Sequence, residues 1–191
     1  MTIGMPGPSI LDTQSEHLAC DIERLFNRCF AASQLTQLVG GCIEPLYRPA
    51  ADGGLHTIFY SHDYFASALH EIAHWCVAGR LRRQQEDYGY WYAPDGRSQS
   101  QQDEFERVEV KPQALEWLFS AACGFRFRVS ADNLALCCGP SEAFKANIVG
   151  QVHQYLAQEI PPRARQFCDS LADYYGGDYR RRHQYHLEAL R

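Results

Sequence analysis

The sequence predicts an α/β fold, helix-rich with a small mixed sheet, and three observations carry that prediction. Apolar residues recur at helical spacing over five stretches, three shorter stretches read as strands, and 191 residues suit one compact domain. Hydrophobic residues make up 46% of the chain and aromatic residues 13%, which is enough for a sizeable core.

Residues 1–14, rich in Pro and Gly, are expected to form a flexible lead-in to a body spanning 15–175, with 176–191 a polar, basic tail. Leu18, Ile22, Leu25, Phe26, Cys29 and Phe30 mark a first amphipathic helix from Ser15 to about Ala32. Gly40-Gly41, Pro45, Pro49 and Gly53-Gly54 then punctuate an irregular stretch with at most short strands. Residues 55–60 read as a strand, and Ser61 and Asp63 are candidate N-caps for a helix running to about Gln85. Tyr88 to Tyr92 read as a second strand, closed by the turn Pro94-Asp95-Gly96. Phe105, Val108, Pro112, Leu115, Phe119 and Ala122 are again helically spaced. Pro112 has no N–H to bond back to residue 108, so a kink or two joined pieces are expected, with Gly124 closing the second. Phe125, Phe127 and Val129 alternate with Arg126 and Arg128 as in a strand, and helices over 141–158 and 163–175 follow.

Composition excludes several function classes. A net charge of -5 argues against a nucleic-acid binder that works by neutralising phosphates. The eight cysteines form no C-x-x-C pair, which removes the usual zinc-ribbon, iron–sulfur and thioredoxin patterns. The first residues have neither a basic n-region nor an apolar h-region, and no apolar run approaches the roughly 20 residues of a membrane span. The expectation is a soluble cytoplasmic protein, away from membranes, whose thiols are mostly buried, reduced and structural. Its oligomeric state is left open.

One motif carries chemistry. His70-Glu71-Ile72-Ala73-His74 is an H-E-x-x-H run inside a stretch with its own apolar face, including Phe65, Leu69, Ile72 and Cys76. On a helix His70 and His74 project from one face and converge on one ion, with Glu71 beside them as a base or as a partner of a ligand. A catalytic ion also needs a third protein ligand. Glu109 and Glu116, seven residues apart on one side of the later helix, are the candidates, with Glu109 favoured. Glu109-Val110-Lys111-Pro112-Gln113 loosely resembles the E-x-x-A-[ND] run of HExxH glutamate-zincin metallopeptidases, with Pro and Gln in place of Ala and Asn. Two histidines and a carboxylate suit Zn²⁺, giving a peptidase, or Fe(II), giving an oxygenase. A structural metal, or two core histidines without metal, is the non-catalytic alternative. The H-x-E triplet His186-Leu187-Glu188 lies in the polar tail and is read as chance. His56 and His62 are candidate neighbours of the ligands. Arg80, Arg82 and Arg83 are read first as a solvated helix end and second as a docking patch for an acidic partner.

Beyond the motif, several blocks resemble the bacterial elongation factor P hydroxylases. They are Tyr64 to Trp75, Gly89 to Tyr92 with Pro94 to Arg97, Val108 to Leu115, and Asp132-Asn133-Leu134. The resemblance covers most of the chain, is strongest over 64–134, and stops at about residue 176. It implies an enzyme that hydroxylates elongation factor P on its modified lysine after a β-lysyl group has been attached. It implies an α/β fold similar to a bacterial metal-dependent ribonuclease family. It also implies a non-haem monooxygenase with Fe(II) held by His70, His74 and most readily Glu109, Glu71 as an acid/base near the ion, and dioxygen as co-substrate. Zinc could replace iron in the purified protein.

Overall fold

A computed structural model describes residues 17–51, 53–87, 98–131 and 139–191. The expected lead-in, the strand and turn at 88–96, and Asp132-Asn133 lie outside the described residues. The elements in chain order are α1 (Ala19–Phe30), β1 (Thr36–Cys42), β2 (Leu46–Arg48), β3 (His56–Ser61), α2 (Phe65–Val77), α3 (Gln99–Cys123), α4 (Glu142–Ala157) and α5 (Pro162–Tyr175). Short 3-10 turns follow α2 and close the chain. The architecture is therefore helix-rich with a small mixed sheet, as the sequence predicts.

The sheet has the order β1-β3-β2, with β1 parallel and β2 antiparallel to the central β3. The glycines at 40–41, read from sequence as punctuation, belong to β1. A Cβ on Gly40 would meet the Tyr60 ring at 2.5 Å, so glycine is what lets Tyr60 cross the strand. Glu23 of α1 locks this crossing, its Oε1 accepting from the Gly40 amide at 2.6 Å and the Tyr60 hydroxyl at 2.9 Å.

α2 ends at Val77, well short of Gln85, because the chain must double back to the sheet. Ala78 leaves helical geometry, and Asp87 pairs with Tyr47 through both backbone groups at 2.6 and 2.9 Å. The carbonyls left open at the helix end take donors from two arginines. Arg163 Nη2 donates to the oxygens of Trp75, Cys76 and Ala78 at 2.8 to 3.1 Å, and Arg83 Nη1 donates to Ala78 at 2.6 Å. At the other end Tyr64, not Ser61 or Asp63, is the N-cap, and Ser61 instead donates its amide to Ser67 Oγ.

α3 is one continuous helix across Pro112, not two pieces. A proline inside a helix costs about 3 kcal/mol. Phe105, Leu115, Trp117, Leu118 and Phe119 are all buried along α3, and each contributes about 1.5–3 kcal/mol on burial, so packing wins. Ser98 and Gln101 form a capping box at its start, and Gly124, left-handed at φ 66°, closes its end as expected.

The 125–129 segment is not a strand. Its alternation is real, because Phe127 is buried and stacks on Trp117, but it lies along α3 without a ladder partner. Past α5 the polar stretch packs onto the body. Gly177 crosses the end of α3 so closely that any Cβ would collide with the carbonyls of Ala121 and Ala122, and Tyr179 and Tyr185 are buried. Cys76, Cys123 and Cys168 are buried thiols, whereas Cys20 is exposed and Cys29 and Cys42 are half-buried. Among the described residues no helix is long and apolar enough to cross a membrane.

Candidate metal centre

The facing turns of α2 and α3 build the site. α2 carries His70 and His74 four residues apart, so both rings leave the same face. α3 presents Glu109, Gln113 and Glu116 to them, all three buried. His74 Nε2 is 3.0 Å from His70 Nε2 and 3.2 Å from Glu109 Oε1, and His70 Nε2 is 3.8 Å from Glu109 Oε2.

These separations suit one ion. Ligand bonds of about 2.0–2.2 Å place adjacent donors roughly 3.0 Å apart at a right angle and roughly 3.4 Å apart at a tetrahedral angle. The three residues are the one His/Cys/Asp/Glu group with this convergence among the described residues. Two imidazole nitrogens and a carboxylate oxygen are also donors that bind Fe(II) or Zn²⁺ well.

Electrostatics hold the cluster together. Burial alone would raise the Glu109 carboxyl, but the facing His74 and His70 rings and a hydrogen bond from Gln113 pull it down to about 2. Burial opposes the charged form of His70, yet Glu116 and then Glu109 beside it lift its basicity well above the ordinary value. Glu71 is shifted up by burial, against the pull of the two histidines.

Gln113 anchors the carboxylate mechanically. Its Nε2 donates to Glu109 Oε2 at 3.3 Å and to the Ser130 carbonyl at 2.8 Å, while its Oε1 accepts the Ser130 amide at 3.1 Å. The side chain is thereby fixed on both edges.

Beside the triad opens a cavity of about 280 Å³. Ile58, Val77, Phe105, Val108 and Pro112 give it apolar walls, and Glu71, His74 and Glu109 reach it from the metal side. Arg82, Arg83 and Asp87 line it as well, so the apolar walls carry charged groups besides those of the metal side.

The sequence model of one family, described as elongation factor P hydroxylase, matches residues 25–185. The chain belongs to that family. A relative from Haemophilus influenzae, named elongation factor P lysine hydroxylase, is 48% identical over 161 residues, which cover 84% of this chain and 90% of the relative.

Of the residues singled out in the sequence, His70, His74, Glu109, Glu116 and Glu71 meet in this one place. Glu116 faces His70 Nδ1 at 2.8 Å, on the opposite edge of the ring from the triad. His56 does not join them: its Nδ1 accepts the Ala50 amide at 2.8 Å, and its ring stacks near Tyr47. His62 is exposed and stacks on Tyr64. His186 pairs with Glu188 on the surface at 3.0 Å. The arginine cluster is largely absorbed by the fold, since Arg82 Nε donates to Asp87 at 2.7 Å and Arg83 caps α2. Sequence reasoning gave Gln113 no role beyond its place in the Glu109 run and missed Arg163. Gln113 stands four residues past Glu109, a spacing that could have flagged it; Arg163 carries no local signal.

Proposed function

We propose that this protein hydroxylates the β-lysylated lysine of elongation factor P at a mononuclear non-haem iron site in the cytoplasm. His70, His74 and Glu109 are the ligands in this reading. The observation that carries it is their convergence beside an apolar cavity in a protein of this family. The name of the Haemophilus influenzae relative supports the substrate.

Fe(II) held by His70, His74 and Glu109 would supply the redox chemistry for a reaction with dioxygen. The overall reaction places one oxygen atom in an aliphatic C–H bond of the modified lysine and releases the other as water, with two electrons and two protons from an external reductant. The protein's own groups do the rest. Ile58, Val108, Phe105 and Pro112 exclude water and align an aliphatic side chain. Glu71, which lines the cavity beside His74 and Glu109, is the group placed to take up and return a proton there. Gln113 keeps the Glu109 carboxylate turned toward the histidines.

The test is to purify the protein without oxygen, measure bound metal, and assay β-lysylated elongation factor P for the mass of one added oxygen atom. Iron-dependent addition that is lost in both H70A and E109A supports the proposal. Zinc-dependent peptide cleavage instead would replace it with a metallopeptidase, and activity that persists in H70A would remove the site.

A further inference from the structure

We infer that Glu116 is a positioning residue: it fixes which ring nitrogen His70 offers to the metal and is not a ligand itself. The inference rests on the metal-site reading above. Its test reads metal binding and ring protonation, so failure to hydroxylate any substrate leaves that test intact.

The two nitrogens of His70 look in opposite directions. Nε2 faces His74 Nε2 at 3.0 Å and Glu109, while Nδ1 faces Glu116 Oε2 at 2.8 Å. In its carboxylate form Glu116 only accepts hydrogen bonds, so at this contact Nδ1 carries the proton and donates. The lone pair available to a cation is then on Nε2, the nitrogen aimed into the triad. Without Glu116 the neutral ring would be free to take either tautomer, and one of the two presents an N–H to the ion.

Two further observations separate positioning from incidental pairing. Glu116 is 8% exposed, and His70 is its only side-chain hydrogen-bond partner among the described residues. A carboxylate buried that far is costly unless paired, and a leucine would fill the position without that cost. Glu116 also lies on the stripe of α3 that carries Glu109 and Gln113, at i, i+4 and i+7. Gln113 orients the carboxylate ligand and Glu116 orients an imidazole ligand, so one helix face supplies one donor and aims two.

The experiment measures Zn²⁺ affinity of the full-length protein by competition with a chromogenic chelator, for the parent, E116Q and E116L. Nitrogen NMR of histidine-labelled, Zn²⁺-loaded parent is recorded alongside, with metal-free melting curves for all three. The glutamine oxygen of E116Q still accepts the Nδ1 proton, so its affinity is expected within a few-fold of the parent. E116L has no acceptor and is expected to bind about 10–100-fold more weakly. The parent spectrum is expected to show His70 protonated at Nδ1 and metal-bound at Nε2. Parent-like affinity in E116L overturns the inference, as does zinc on Nδ1 in the parent. A folded E116Q that binds as weakly as a metal-ligand variant also overturns it, because the carboxylate would then be a ligand. Should E116L not fold, E116Q and the parent spectrum still decide.

Discussion

α2 is packed against two neighbourhoods built on opposite physical terms. On one side Trp75 sits among Phe26 and Phe30, with Phe167 and Phe119 next to them, ring centroids 4.9 to 6.3 Å apart. On the other side His70 and His74 meet Glu109, Gln113 and Glu116. The aromatic side stabilises by area, about 1.5–3 kcal/mol per ring plus a little for edge-to-face geometry, and no single contact is indispensable. The polar side gains little net stability, because desolvation offsets pairing, yet each group depends on a particular partner. One helix thus keeps its stability and its chemistry on separate faces.

The largest expected effect breaks the polar side alone. H74A removes a donor from the triad, so stoichiometric Fe(II) or Zn²⁺ binding should fall to background while the far-ultraviolet circular dichroism stays that of the parent. Metal analysis after gel filtration checks both halves. A variant that retained one equivalent of metal would show that the ligands lie elsewhere.

F167A is the mirror experiment. Phe167 is fully buried among the rings, and a Phe-to-Ala change in a core costs about 3–5 kcal/mol. Urea titration should show that loss, while metal affinity of the molecules that remain folded stays at the parent value. If affinity fell in step with stability, the two faces would be coupled.

Gln113 belongs to both regimes, so Q113L should show a mixed effect. Freeing Glu109 should weaken metal binding about tenfold. Losing the two hydrogen bonds to the Ser130 amide and carbonyl should cost about 1–3 kcal/mol in the same urea assay. R163M sharpens the comparison at its small end. It strips the side-chain donor from the Trp75 and Cys76 carbonyls and leaves Arg83 alone on that of Ala78, and should cost about 1–2 kcal/mol, with metal affinity unchanged.

Much of this was legible in the sequence, and the parts that were not share a cause. α1, α4 and α5 followed their apolar periods because each buries one stripe of residues. β1 was hidden because its Gly40 answers to Tyr60, twenty residues away, and no local pattern reports that crossing. The 125–129 alternation was read as a strand, which it is not, since period two reports exposure and not a hydrogen-bonded neighbour. α2 was read too long because what ends it is tertiary: the pairing of Asp87 with Tyr47 and the Arg163 donors from α5. The metal helix was plain from His70 and His74. Glu109 and Glu116 could not be separated by pattern, both lying on one stripe of α3; only the orientation of the His70 ring, a tertiary property, puts them on opposite edges.

The packed C-terminal segment gives that stripe a reporter. Tyr185 sits edge-on to Trp117, the residue after Glu116, at 5.0 Å, and its hydroxyl donates to the Tyr179 carbonyl at 2.7 Å. Clipping the protein after Gly176 would unroof the turn of α3 that faces His70. By thermodynamic linkage, a cation that binds only the intact arrangement must in turn hold the C-terminus down. Carboxypeptidase digestion should therefore run more slowly with metal than with chelator, making the last residues a gauge of an ion they never touch.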